Sequence, residues 1–227
     1  MYLYETHLHT SPVSKCATAS AMEVVHFYKE LGYAGIFITN HFLDGNININ
    51  RELPYDEKIN FYFSDYEEGK KIGEKIGLDI FFGAEISYKG TDFLIYGLDK
   101  EWYLSHPEIM HMSKTEELTL MANEGALIIQ AHPFREASYI DHIRLFPRHV
   151  HGIEVINANR SEFENDMAKA YAKNYSLLAF AGSDNHRGAL QNKFAGVKFS
   201  SPIKDEQDFI ERIKRDDHRI FHKEFGE

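Results

Sequence analysis

The chain has 227 residues, 43% of them hydrophobic, and a formal net charge of −10, which suits one large globular domain. No apolar run approaches the roughly 20 residues that span a bilayer, and the first residues do not resemble a signal peptide. The single cysteine and the acidic balance predict a cytoplasmic protein that binds neither membranes nor extended nucleic acid. Thirteen histidines stand out, because histidine is the commonest metal ligand.

Segments typical of strands alternate with segments typical of helices. Apolar runs predict strands over residues 2–9, 34–39, 79–86, 93–98, 126–131, 152–156, 177–181 and 196–200. Capping-box pairs of serine and glutamate predict helices that begin at Ser20, Ser64, Ser113 and Ser161, and a last helix begins near Asp205. Residues 42–63 and 99–112 are expected to be irregular, and His218 and His222 to lie in a charged tail. The absence of repeats and linkers predicts a single domain over residues 1–227.

Repeated strand–helix units predict an α/β fold in which helices cover parallel strands. An open sheet usually binds its ligand at one switch point, whereas a barrel gathers side chains from many strand ends on one face. Here many strand ends carry reactive side chains, so a TIM-like barrel with its site at the C-terminal face is favoured. Because eight units typically need about 250 residues, seven strands or an irregular barrel fits this length.

Five predicted strands end in side chains that bind metals, namely His7, His9, His41, Glu85, His132, Asp184 and His186. Imidazoles and carboxylates suit Zn²⁺, Mn²⁺ or Fe²⁺, and the lack of thiolates among them argues against a structural zinc cluster. Seven ligands exceed the needs of one ion, so two or three ions bridged by Glu85 or Asp184 are expected. A lone histidine after a strand is more often a hydrogen-bonded loop residue, but that explanation fits poorly when five strands end in this way.

The segments His-Leu-His-Thr, Ile-Thr-Asn-His41, Gly-Ala-Glu85, Ala-His132-Pro-Phe and Gly-Ser-Asp184-Asn-His186 resemble, in this order, the motifs of the PHP (polymerase and histidinol phosphatase) family. The resemblance extends from residue 5 to about residue 188. It implies a distorted (β/α)7 barrel, with metal ions at the C-terminal face that hydrolyse phosphoesters. It also implies that the seven side chains named above are the metal ligands.

The sequence departs from this family at two positions. Lys15 and Cys16 stand where family members usually carry an acidic residue or a histidine. Trinuclear members also have a further histidine between the Glu85 and His132 motifs, where this chain offers His106, His111 or, as a weaker third candidate, Asp92. Two ions are therefore better supported than three.

The implied reaction is the hydrolysis of a small phosphate monoester by a metal-bridging hydroxide in a dinuclear or trinuclear site. His9, Asp184 and His186 are the candidate catalytic residues. The candidate phosphate contacts are Arg135, Arg160, Arg187 and Lys15. The alternative is that these side chains form ordinary surface ion pairs. Glu154 could orient a histidine, whereas Cys16 is expected to be a small buried or loop residue.

Three other functions remain open at this point. The same site could serve a nuclease or nucleotide phosphodiesterase, although the chain has no basic stripe for a polymer. An amidohydrolase-like C–N hydrolase would use similar ligands, usually with a bridging lysine that no strand end here supplies. A noncatalytic binding module is disfavoured by the complete set of ligands. The substrate, the native metal and the oligomeric state are not specified by the sequence.

Overall fold

Nine strands form one mixed sheet across residues 1–224, the part of the chain that the computed structural model describes. The strands are β1 (Tyr2–Glu5), β2 (Gly35–Ile38), β3 (Asp79–Tyr88), β4 (Thr91–Tyr96), β5 (Leu127–Ala131), β6 (Gly152–Asn157), β7 (Leu178–Gly182), β8 (Lys193–Phe199) and β9 (Arg219–Glu224). The helices are α1 (Ala21–Glu30), α2 (Tyr55–Ile76), α3 (Lys100–Ser105), α4 (Lys114–Asn123), α5 (Glu162–Tyr175) and α6 (Glu206–Lys214). None of the helices in this part of the chain is long and apolar enough to cross a membrane.

The first seven strands follow one another in chain order around a nearly closed barrel. Neighbouring strands are parallel except at β4, which is antiparallel to both β3 and β5. The ring closes beyond the end of β1, where Leu8 pairs in parallel with Asn185 and the His9 amide donates to the Asn185 carbonyl over 2.8 Å. β8 is antiparallel to the first residues of β1 and β9 is antiparallel to β8, so these two strands extend the sheet beyond the barrel. The expected distorted (β/α)7 barrel is thereby confirmed.

Local sequence signals place several helices correctly. The predicted capping boxes at Ser20, Ser113 and Ser161 are formed, and α1, α4 and α5 begin at the next residue. In each, the serine side chain accepts from the third amide of the helix while the glutamate accepts from the serine amide. These helices therefore begin where unpaired amides are satisfied by nearby side chains.

The predicted helix start at Ser64 is wrong, and the segment 42–63 is irregular only over residues 42–54. α2 begins at Tyr55, and the Ser64 hydroxyl, in mid-helix, donates to the Phe61 carbonyl over 2.7 Å. A serine can bond to the preceding turn in this way, so its spacing from a glutamate does not by itself mark a helix start.

Two further segments are also more regular than the sequence indicated. Residues 99–112 contain α3 and a 3-10 turn over Pro107–His111. The expected charged tail forms β9, which pairs with β8 and includes His222. Burial is only partial along β9, so its apolar pattern is weak and the pairing with β8 defines it.

Aromatic side chains fill the end of the barrel away from the predicted ligands. Phe209 of α6 lies 4.3 Å, centroid to centroid, from Phe37 and 5.6 Å from Tyr96. Tyr96 pairs with Leu127, the first residue of β5, which places this contact at the N-terminal end of the strands. α6 thus closes that end and leaves the C-terminal end of the strands for the polar side chains.

β7 approaches the start of the chain closely at Gly182. A Cβ atom added there would lie 2.4 Å from the His7 Cβ and 2.7 Å from the Glu154 Oε1. Both distances are below van der Waals contact, so only glycine allows this spacing between β7 and the segment that follows β1.

We expect Gly182→Ala to lower the free energy of unfolding by about 1–3 kcal/mol, because the added methyl group overpacks the junction. Urea denaturation followed by circular dichroism measures the change. Ser200→Ala, at an exposed position, is the control and should change the free energy by less than about 0.5 kcal/mol. Equal stability of the Gly182→Ala and wild-type proteins would contradict the close approach.

Candidate metal centre

All seven predicted ligands come together at the C-terminal end of the barrel, and Glu85 lies at their centre. Its carboxylate oxygens are 3.3 Å from Nε2 of His7 and 3.4 Å from Nε2 of His9. They are also 2.7 Å from Nδ1 of His41 and 3.3 Å from Nε2 of His132. Glu85 reaches this position because β3 continues past the end of β2, so that Glu85 and His41 form a parallel bridge.

Asp184 faces the same histidines from the segment that follows β7. Its Oδ1 lies 3.5 Å from Nε2 of His7, 3.4 Å from Nε2 of His9 and 3.3 Å from Nδ1 of His186. The rings of His9 and His186 stack with centroids 4.1 Å apart. Glu85 and Asp184 therefore both lie close to His7 and His9 of the first motif, and Asp184 also lies close to His186 of its own motif.

Most of the ligand atoms of this cluster are buried without a hydrogen bond, although oppositely charged groups surround them. Among residues 1–224 no hydrogen-bond partner is present for Nε2 of His7, His9 and His132, for Nδ1 of His41 or for either oxygen of Glu85. Buried polar atoms left unpaired are costly and rare in proteins. Three sets of ligand atoms each lie within 4.8 Å of one another, namely His9–His41–His186, His7–Glu85–His132 and His7–His9–Asp184. The arrangement fits divalent cations that these atoms would coordinate.

Without metal, the cluster pairs ionised carboxylates with protonated imidazoles. Burial lowers the pKa of His7, but the carboxylates of Glu154 and Asp184 outweigh that effect and raise the pKa well above its usual value. Burial also lowers the pKa of His41, and Glu85 reverses the effect in the same way. Conversely, His41 and His7 hold the pKa of Glu85 well below its usual value despite burial. Protons must therefore leave these histidines when a metal ion binds.

Glu154 orients two of the histidines, as the sequence suggested for one. Its Oε1 lies 2.8 Å from Nδ1 of His7, which turns Nε2 of that ring toward the cluster. Its Oε2 accepts from the His132 amide over 3.0 Å and from the Asn157 side chain over 2.9 Å. His132 has a φ of +25°, a left-handed conformation that this bond helps to hold.

Asn157 and Asn159, at and just beyond the end of β6, bond to Asp184 through their side-chain amides. The Asn157 amide donates to the Asp184 side chain over 3.3 Å, and the Asn159 amide donates to the Asp184 carbonyl over 2.6 Å. Asp184 has a φ of +54°, so these bonds hold a conformation that residues other than glycine rarely adopt.

Glu5 connects the two chain segments that carry most of the ligands, and the sequence did not single it out. Its fully buried carboxylate accepts from the amides of His7 over 3.0 Å and Ser183 over 2.9 Å. It also accepts from the hydroxyls of Ser183 and, over 2.9 Å, Tyr28. Burial raises the pKa of Glu5, although these bonds oppose the effect.

A cavity of about 500 Å³ opens beside the cluster. His41 and His186 line it together with Arg135, whose guanidinium lies 2.9 Å from the buried Asp92 carboxylate. Lys89 and Tyr139 also line this cavity. The cavity therefore combines predicted ligands with one of the predicted phosphate contacts.

The other three candidate phosphate contacts are not among the residues that line this cavity. Arg187 is exposed and lines a separate hollow beside α1. Arg160 lies near Glu164. Burial raises the pKa of the Glu164 carboxyl, but the bonds from Ser161 and the Glu136 amide, with the charge of Arg160, outweigh burial and lower it. Lys15 is exposed on the loop between β1 and α1. Arg135 is thus the candidate that the fold brings to the cluster.

Neither a family model nor a curated protein matches this sequence. Solved structures are similar at low identity. A two-domain protein from Bacteroides vulgatus that contains a predicted PHP-like metal-dependent phosphoesterase is 14% identical with a TM-score of 0.69. The match covers 97% of this chain and 64% of that protein, so this chain spans less than two thirds of its length.

Two other solved structures are similar over most of their length. PsfC from Pseudomonas syringae is 16% identical with a TM-score of 0.62, covering 99% of this chain and 92% of that one. An amidohydrolase from Chromobacterium violaceum, with bound sulfate and no metal, is 14% identical with a TM-score of 0.53, covering 82% and 88%. At such identities the similarity establishes the fold. The chain has the fold of PHP-like metal-dependent phosphoesterases, as the order of its motifs predicted.

Proposed function

We propose that this protein is a metal-dependent hydrolase that removes phosphate from a small phosphate monoester. The observation that supports the proposal is the set of buried imidazole and carboxylate atoms around Glu85 that have no hydrogen-bond partner within residues 1–224. The PHP-like fold and the cavity beside this set support access for a substrate.

Two or three divalent transition-metal ions are proposed as cofactors. His9, His41 and His186 would hold one ion, and His7, His132 and Glu85 would hold a second, with Asp184 within reach of both groups. Imidazole and carboxylate together suit zinc, manganese or iron. When bound, such ions supply the positive charge that activates water and offsets negative charge on a phosphoryl group. His9 is fully buried, so its role is to hold an ion rather than to touch the leaving group.

The protein side chains orient the reaction. Glu154 fixes the ring of His7, and Asn159 fixes the backbone of Asp184. Arg135 presents a planar guanidinium at the cavity wall, where it can bind two phosphate oxygens. The cavity volume of about 500 Å³ is in the range of small-molecule sites, and the net charge of −10 disfavours a nucleic acid polymer. A small phosphorylated substrate is therefore the proposed partner.

C–N bond hydrolysis is the second candidate, because an amidohydrolase shares the fold. The carboxylate of Glu85 occupies the centre of this cluster, and within residues 1–224 its ion-pair partners are histidines, with no lysine among them. A substrate screen that includes amides and cyclic ureides beside phosphate monoesters separates the two reactions.

We expect metal removal to abolish phosphatase activity, and readdition of zinc, manganese or iron to restore it. His9→Ala and Asp184→Asn should each lower kcat/KM by at least about 100-fold, since even residues that only support metal ligands cost 10–100-fold when replaced. The assay uses sugar phosphates, nucleotides and an aryl phosphate. His26→Ala, an exposed histidine on α1, is the control. Full activity of the metal-stripped protein, or turnover of the amides alone, would contradict the proposal.

Metal binding should release protons at pH 7, because the pKa values of His7 and His41 in the metal-free protein lie well above 6.5. Metal affinity should consequently fall as pH falls through those raised values, where protons compete with the ion. Titration calorimetry of zinc in two buffers of different ionisation enthalpy counts the protons. Glu154→Gln removes the carboxylate that contributes most to the raised pKa of His7, and fewer protons should leave. A proton count of zero at pH 7 would refute the charge assignment.

Arg135→Ala should raise KM for the phosphate monoester by about 10–100-fold, as expected for loss of a charged hydrogen bond of about 1.5–3 kcal/mol. Steady-state kinetics on a responsive substrate gives the value. Arg148→Ala, at an exposed position, is the control. Thermal unfolding checks that Asp92, left without its partner, has not unfolded the protein. An unchanged KM in a folded Arg135→Ala variant would exclude Arg135 from phosphate binding.

A further inference from the structure

The thiol of Cys16 lies against the metal-binding cluster. It is within hydrogen-bonding reach of the side chains of both His41 and His186, and it lines the same cavity. Cys16 is half-buried and belongs to the loop between β1 and α1. The sequence predicted a small buried or loop residue, and the structure adds that this loop residue lies beside two of the predicted ligands.

The loop is held in place on both sides of this cysteine. The Lys15 amide donates to the Asn46 carbonyl over 2.9 Å, and the Ala17 amide donates to the Ser14 carbonyl over 3.1 Å. The Thr18 amide donates to the carbonyl of His186 over 2.9 Å. The backbone therefore fixes the thiol beside the histidines before any ligand binds.

Three imidazoles beside the thiol have the arrangement of an incomplete metal site. Ligand atoms of His9, His41 and His186 lie within 4.8 Å of one another. His9 is fully buried, and its Nδ1 lies 3.1 Å from the Ser14 hydroxyl, which leaves Nε2 facing the cluster. That Nε2 and Nδ1 of His41 have no hydrogen-bond partner in the described part of the chain. The Cys16 thiol lies beside two of these three rings and offers a fourth donor to an ion held there.

We propose that Cys16, as a thiolate, is the fourth ligand of an ion held by His9, His41 and His186, and that it makes this part of the centre select zinc over manganese. The thiol proton passes to solvent when the sulfur–metal bond forms. Thiolate is a soft ligand that favours zinc, whereas carboxylate suits manganese. The inference rests on the metal centre of the proposed function and is independent of the reaction.

The test uses the full-length protein, stripped of metal, kept reduced and loaded with cobalt(II). A cobalt–thiolate bond gives an intense near-ultraviolet charge-transfer absorption that imidazole and carboxylate ligands do not give. Because Cys16 is the only cysteine in the sequence, the absorption reports on this residue alone. We expect the band in the wild-type protein and its loss in Cys16→Ser, with zinc affinity lower by about tenfold or more.

Metal competition tests the selectivity. Cys16→Asp replaces the thiolate with a carboxylate, and the preference for zinc over manganese should fall in this variant while the number of bound ions is retained. Circular dichroism checks the fold of both variants. Cobalt bound to the wild-type protein without the band would overturn the role of Cys16 alone. Failure to bind cobalt at all would overturn the metal centre as well, and an unchanged zinc preference in Cys16→Asp would overturn the selectivity.

Discussion

The buried carboxylate of Glu5 joins the beginning of the barrel to its end, and the metal centre depends on that junction. One oxygen accepts from the amides of both His7 and Ser183, so the segment after β1 and the segment after β7 are bound to the same group. A carboxylate in a fully buried position is stable only when such donors surround it. Because those two segments contribute four of the seven ligands, the junction determines their relative position. Gly182 belongs to the same contact, since a side chain there would push the segments apart.

The cluster brings two buried carboxylates close to five imidazoles, an arrangement that suits bound cations. Glu85 and Asp184 lie within 3.5 Å of shared imidazole nitrogens, and the imidazoles face one another at ring distances of 4.1 Å to 6.0 Å. In such surroundings some histidines hold protons and others lose them. Burial and the neighbouring His186 and His41 lower the pKa of His9, although the pKa of His7 is raised. The metal-free protein satisfies this set of side chains only in part, which is the physical reason to infer that cations belong there.

The barrel and the seven clustered side chains could be predicted from the sequence, because the C-terminal ends of the strands of one barrel lie on the same face. His7, His41 and His132 each follow a buried apolar strand, and that pattern is local. Cys16 and Glu5 could not be assigned in the same way, because their roles come from contacts with residues far along the chain. For the same reason β9 was missed, since its partner β8 defines it more than its own residues do.

Arg135 places one positively charged side chain beside the cavity of a chain that is acidic overall. Asp92 lies 2.9 Å from its guanidinium and is itself buried, so the pair places a cation at the wall without needing a basic surface around it. Burial opposes the charge of Arg135, and Asp92 followed by Glu85 restores it, raising the pKa of the guanidinium. A phosphate that approaches the wall meets donors of the guanidinium that Asp92 does not occupy, because the fork has five. The net charge of the chain disfavours long anionic polymers, and the position of Arg135 supports the proposal that a small anion binds in this one cavity.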